Sequence, residues 1–193
     1  NSSGISNTGI GTFSLFSNTT GIGNTSVGNN SLYNNTDGSS NTAIGVSSME
    51  SNTTGYSNTS LGCYSLAFNT LGYDNTGLGS RSLNSNSTGF TNTAIGVYSL
   101  GSNTTGNLNT GLGSYSLYRN VSGFRNTAVG YNSLYNSLGV SNTALGYLAG
   151  NLITSGGNNI AIGNDAQVPS GTSSNQVRIG NTNISYAGIQ VAW

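Results

Sequence analysis

An Asn-Thr pair recurs along this chain at a fixed step. It begins at Asn7, Asn24, Asn41, Asn58, Asn75, Asn92, Asn109 and Asn126, 17 residues apart each time. The next step is 16, to Asn142, and the register resumes 17 later at Asn159. A degenerate copy, Gln176-Val177-Arg178-Ile179-Gly180, follows after another 17. A period this strict constrains the chain to a solenoid. Each repeat is one coil that buries too little by itself, and stacked neighbours complete its core.

With the Asn as position 0, position 3 is Ile10, Val27, Ile44, Leu61, Leu78, Ile95, Leu112, Val129, Leu145 and Ile162. Position 8 is Leu15, Leu32, Met49, Leu66, Leu83, Leu100, Leu117 and Leu134. Two aliphatic columns, one on each side of a flattened coil, are expected to form the core. Gly columns at positions 4 (Gly11 to Gly180) and 14 (Gly21 to Gly123) mark corners that need positive φ or lack room for a Cβ. They divide the coil into two short extended segments, Asn-Thr-Ala-Ile and the stretch through Ser-Leu. Nothing reads as a helix. The prediction is an all-β parallel β-solenoid of about eleven 17-residue coils, a rod of roughly 50 Å at about 4.8 Å per coil. Residues 1–146 are the regular array, and residues 147–193 are atypical final coils with a C-terminal cap or transition.

Asn at position 0, Thr at position 1 and Ser at position 7 also form columns. In an in-register stack, side-chain amides bond to one another as a ladder. Thr and the position-3 aliphatic share the parity of a strand, so they share a face. Tyr64, Tyr98 and Tyr115 at position 6, with Tyr118 and Tyr135 at position 9, lie in columns too mixed to be core. They are expected on a solvent or inter-chain face, as a contact surface.

The core Asn-Thr-Ala-Ile-Gly-x-x-Ser, as in Asn92-Thr93-Ala94-Ile95-Gly96-Val97-Tyr98-Ser99, resembles the head repeats of trimeric autotransporter adhesins. With Leu-x-x-Asn-Thr-Thr-Gly following, it is similar to bacterial surface and phage tail-fibre repeats. The resemblance covers nearly the whole chain. It implies a left-handed parallel β-roll and an intertwined or side-by-side homotrimer, three chains around one axis. The adhesin-head repeat is shorter than 17 residues, so the coil geometry need not carry over. The closing stretch, Asn175 to Thr182 and Ile189 to Trp193, looks like the segment that precedes a self-cleaving C-terminal chaperone in tail-fibre relatives. On that resemblance, ending at Trp193 suits a mature, cleaved product. The chain begins mid-repeat at Asn1, as a fragment or processed product would.

Composition removes several classes of function. Four Arg, four acidic residues, and no Lys or His leave a net charge of zero. No basic stripe for nucleic acid can form from these, and no apolar run is long enough for membrane insertion. Without His there is no His-based triad or His metal site. Asp37, Glu50, Asp74 and Asp165 are too scattered to pair as catalytic acids. No enzyme activity, metal or cofactor is expected. Cys63 is alone and is expected to be a small buried residue. The expected function is a non-enzymatic, extracellular structural and adhesive fibre segment, in a phage tail fibre or bacterial surface adhesin. Its partners are further copies of itself and a cell-surface glycan or protein receptor. The alternative is an ice-binding solenoid using the Thr column from Thr8 to Thr143.

Overall fold

The computed structural model describes residues 3 to 185. Of the closing stretch, residues 186 to 193 lie outside the described residues. Eleven three-residue strands form one parallel sheet in sequence order, from β1 (Thr8–Ile10) through β6 (Thr93–Ile95) to β11 (Val177–Ile179). Equivalent residues pair throughout, Thr76 with Thr93 and Leu78 with Ile95 for example. The chain is therefore an all-β solenoid with each repeat stacked in register on the next.

Two ladders of asparagine amides run along the stack. In the first, at position 0, the Asn75 backbone N–H and Nδ2 donate to Asn58 Oδ1, at 3.0 and 3.1 Å. Nδ2 also donates across the coil to the Gly89 carbonyl, at 2.8 Å. In the second, at position 11, Asn86 Nδ2 donates to Asn69 Oδ1 at 2.8 Å and to the same Gly89 carbonyl at 2.9 Å. The position-14 carbonyl thus joins both ladders. A Cβ at Gly89 would collide with Asn86 Oδ1 and the Gly106 carbonyl oxygen, so this column is Gly because the backbone approach leaves no room. At position 4 the reason is double. Gly96 has φ 129°, and a Cβ there would stand 2.6 Å from the Gly113 carbonyl carbon.

The interior differs from the sequence expectation in one column. Position 8 lies inside: Leu32, Met49, Leu66, Leu83, Leu100, Leu117 and Leu134 are fully buried, with Leu15 packed partly against them. Position 3 does not. Ile10, Val27, Ile44, Leu61, Leu78, Ile95, Leu112, Val129, Leu145 and Ile162 all sit on the outer face of the sheet, part-buried or exposed. A three-residue strand has one side chain of opposite parity to the other two. Here that inward residue is position 2, for example Ala43, Ser60 and Ala94, all completely buried. Position 2 must be small because the Ser ladder and the Leu column already fill the space. A Cβ at Gly77 would meet Ser65 Oγ at 2.7 Å and Ser82 Oγ at 3.0 Å, and those two hydroxyls bond each other at 2.8 Å.

The second segment is also not extended. Positions 6 and 8 are left-handed in coil after coil, as at Tyr98 (φ 57°) and Leu100 (φ 51°), and so is position 16, as at Ser57 (φ 54°). Alternating left-handed residues cannot make a strand, yet the turns still bond from coil to coil, Leu83 N–H to the Ser99 carbonyl at 3.0 Å for example. Left-handed backbone costs an L-residue roughly 1–2 kcal/mol, and is worst for β-branched side chains. Position 8 is accordingly Leu or Met from Leu15 to Leu134, never Val or Ile.

The 16-residue coil keeps the sheet in register, Thr127 opposite Thr143. The missing residue is absorbed in the turn, where Asn126 Nδ2 still reaches the Gly139 carbonyl at 2.9 Å. The second ladder stops there. Ser137 stands at position 11, and Asn120 Oδ1 is left without a hydrogen-bond partner. In the next coil Gly150 occupies position 8 and Ile153, fully buried, fills the space from position 11. Cys63 is exposed rather than buried, because position 5 points outward just past the Gly corner.

Two stability measurements test this account. Replacing Asn75 by Ala removes four ladder bonds and strands buried donors and acceptors, each worth roughly 1–3 kcal/mol. Asn75→Ala is expected to cost about 3–5 kcal/mol in urea unfolding, against less than about 1 kcal/mol for the outward Thr76→Ala; equal losses would refute the ladder's role. Ser57 occupies a left-handed position that is Gly23 (φ 68°) two coils earlier. Ser57→Gly is expected to stabilise the chain by about 0.5–1 kcal/mol.

Candidate functional site: an outward sheet face and a tyrosine cleft

Two surfaces stand out on the solenoid. The first is the outer face of the sheet. Its two columns, Thr at position 1 and aliphatic at position 3, alternate with buried position 2 in every strand from Thr25 to Leu145. Ile160 and Val177 continue the Thr column as aliphatics. No charged side chain lies on this face among the described residues, since Arg178 sits at position 2. Ile10, Leu61, Leu145 and Ile179 are 59, 48, 49 and 69 % exposed. Large apolar side chains left in water along a whole sheet are costly, at about 25 cal/mol for each Å².

The second surface is aromatic. Column 6 runs Tyr64, Arg81, Tyr98, Tyr115 in four successive coils. The Arg81 guanidinium lies 5.5 and 5.4 Å from the Tyr64 and Tyr98 ring centres and donates a hydrogen bond to the Tyr98 hydroxyl. That bond, with the nearby phenol, pushes the Arg81 pKa further up, so it remains a cation under all ordinary conditions. Tyr98 stacks on Tyr115 at 5.3 Å, and Tyr118 on Tyr135 at 5.3 Å. The two columns meet edge to face, Tyr98 with Tyr118 at 5.8 Å and Tyr115 with Tyr118 at 5.6 Å. The five tyrosines expected as a contact surface are therefore brought together, with Tyr64 linked through Arg81. Sequence reasoning missed Arg81, Asn132, Tyr131 and Tyr147. The last two occupy position 5 of successive coils and stack at 5.6 Å. Two aromatics 16 residues apart beside the known columns were the available signal.

Around Tyr115, Tyr131, Asn132 and Tyr135 the rings splay, with centres 6.3 and 6.4 Å from Tyr115, and border a shallow, open cleft of about 340 Å³. Asn132 Oδ1 has no hydrogen-bond partner. A neighbouring groove of about 390 Å³ follows the turn that lost a residue, lined by Ser102, Arg119, Val121, Asn136, Leu138 and Thr154. Arg119 Nη1 donates to Asn136 Oδ1 across it, at 3.3 Å. Elsewhere, Phe16 stacks on Tyr33, and Tyr56, Tyr73 and Phe90 form a separate aromatic ladder at 4.9 Å spacing. Among the described residues no three His, Cys, Asp or Glu side chains gather as a metal would require. No family model, curated protein or solved structure matches this chain.

Proposed function

We propose that this chain is a non-enzymatic, extracellular fibre segment, of a phage tail fibre or a bacterial surface adhesin. It gives a rigid shaft and multivalent contact with a host or surface. The observation that carries the reading is the uncharged Thr-and-aliphatic face along the whole sheet. Monomeric soluble proteins rarely leave so long an apolar stripe uncovered. Three copies turning this face toward a common axis, as a left-handed β-roll trimer, would bury it. Because the coils of one chain bury their own Leu column from Leu32 to Leu134, the copies would sit side by side rather than intertwine. The tyrosine surface would then be presented three times, and weak contacts would add through avidity.

The outward Thr column also supports a second reading, an ice-binding solenoid. Threonine hydroxyls at the roughly 4.8 Å coil spacing form a regular array on one sheet. The two readings use the same face and exclude each other, since an interface between copies hides those hydroxyls.

Light scattering separates them. The fibre reading expects a mass near three times 19.6 kDa. Ile95, on the outer face and 40 % exposed, offers the decisive variant. Ile95→Asp is expected to leave the far-ultraviolet spectrum unchanged and reduce the mass to that of one chain, because a carboxylate cannot be buried unpaired between copies. A trimer that survives Ile95→Asp would show that this face is not the interface. A wild-type monomer that also lowers the freezing point of its solution would favour ice binding.

A further inference from the structure

We propose that the cleft lined by Tyr115, Tyr131, Asn132 and Tyr135 binds a neutral saccharide, one cleft per chain. The proposal rests on the adhesive reading above and names the chemistry of the contact. The cleft volume, about 340 Å³, lies in the small-ligand range of roughly 300–1,000 Å³. Its lining has no charged side chain, so it offers nothing to a phosphate, a carboxylate or a basic peptide. Three of its four lining side chains are tyrosines, and the surface they present with Asn132 is mostly polar, with the remainder apolar. An aromatic face is electron-rich and complements the weakly positive C–H bonds on one face of a pyranose. The phenol hydroxyls serve as donors or acceptors for sugar hydroxyls.

The orphaned acceptor sharpens the assignment. Asn132 Oδ1 is shielded from water and unpaired, a state that buried polar atoms rarely keep and that costs about 1–3 kcal/mol. The terminal amide torsion is broad, so a modest turn presents this oxygen to a hydroxyl donor in the cleft. A hydrocarbon ligand has no such donor. A polypeptide would seek unpaired main-chain groups, and the coils' backbone is already engaged with neighbouring coils here, Asn132 N–H with the Ser114 carbonyl at 3.1 Å for instance. A neutral sugar supplies apolar C–H faces and hydroxyl donors together.

The test uses the intact assembled protein on a printed array of neutral oligosaccharides built from hexose, deoxyhexose and N-acetylhexosamine units. Calorimetric titration with the best-bound sugar follows. Tyr131→Ala removes an exposed ring (46 % exposed), so folding is not at stake. Asn132→Leu is tolerated by the left-handed backbone, because Leu148 occupies the same column with φ 55°. Each is expected to weaken binding at least tenfold, while Tyr56→Ala, in the separate ladder, leaves it unchanged. The proposal is overturned if no neutral sugar binds, if only charged sugars or a polypeptide bind, or if Tyr131→Ala and Asn132→Leu bind as wild type does. Light scattering on the same samples keeps the two readings apart. A trimer that binds no sugar removes the cleft and keeps the fibre, whereas a monomer that binds sugar does the reverse.

Discussion

In each coil from Gly21 to Gly123 one carbonyl oxygen accepts two asparagine amides, and the rest of the coil is arranged around that junction. At Gly89 the amides come from Asn75, 14 residues back, and Asn86, three back. These bonds close the loop across its narrow dimension. The oxygens of the same amides take donors from the next coil, so closure and stacking are one network. Neutral amides buried this way are stabilising only when their partners are supplied, which the 17-residue register does from coil to coil until the second ladder ends at Asn120. The junction also fixes what else fits. With amides and hydroxyls on much of the inner surface, the interior holds one Leu column and small position-2 residues such as Ala43 and Ala94, and the strand aliphatics go outside.

The stacking bonds also sustain backbone that is unfavourable in isolation. Three positions per coil are left-handed, and two of them flank a buried Ser. No single coil could hold that conformation. Stacked coils can, since each left-handed turn bonds to the one beside it, and stability accrues from interfaces between repeats rather than within them. The coil that lost a residue shows where this network has slack. Its strand, first ladder and Leu stay in place, and the change is confined to the outer turn and the end of the second ladder.

Much of this was legible in the residues. The 17-residue step specified an in-register parallel stack, and the Asn, Ser, Gly and Leu columns were readable as ladders, corners and core. Parity correctly placed Thr and the aliphatic residue on one face but could not say whether that face was inner or outer. The deciding signal was position 2, where Gly9, Ser26, Ala43, Ser60 and Gly77 are uniformly small. Small residues there mean a crowded interior, and hence aliphatics outside. The left-handed second segment also left a trace, the lack of β-branched residues at position 8. At the candidate site, Tyr64, Tyr98, Tyr115, Tyr118 and Tyr135 could be gathered by column. Arg81 and Asn132 stand in the same position-6 column and Tyr131 and Tyr147 in position 5, but their residue types vary along the column, so the column pattern alone did not single them out.

The interior carries no ionisable side chain among the described residues; its buried polar groups are Asn and Ser. Folding therefore carries no proton into or out of the core, and protonation linkage has nothing there to act on. Nor do buried charges exist for salt to screen. The amide ladders that join coil to coil therefore carry no charge on which acid, alkali or salt could act.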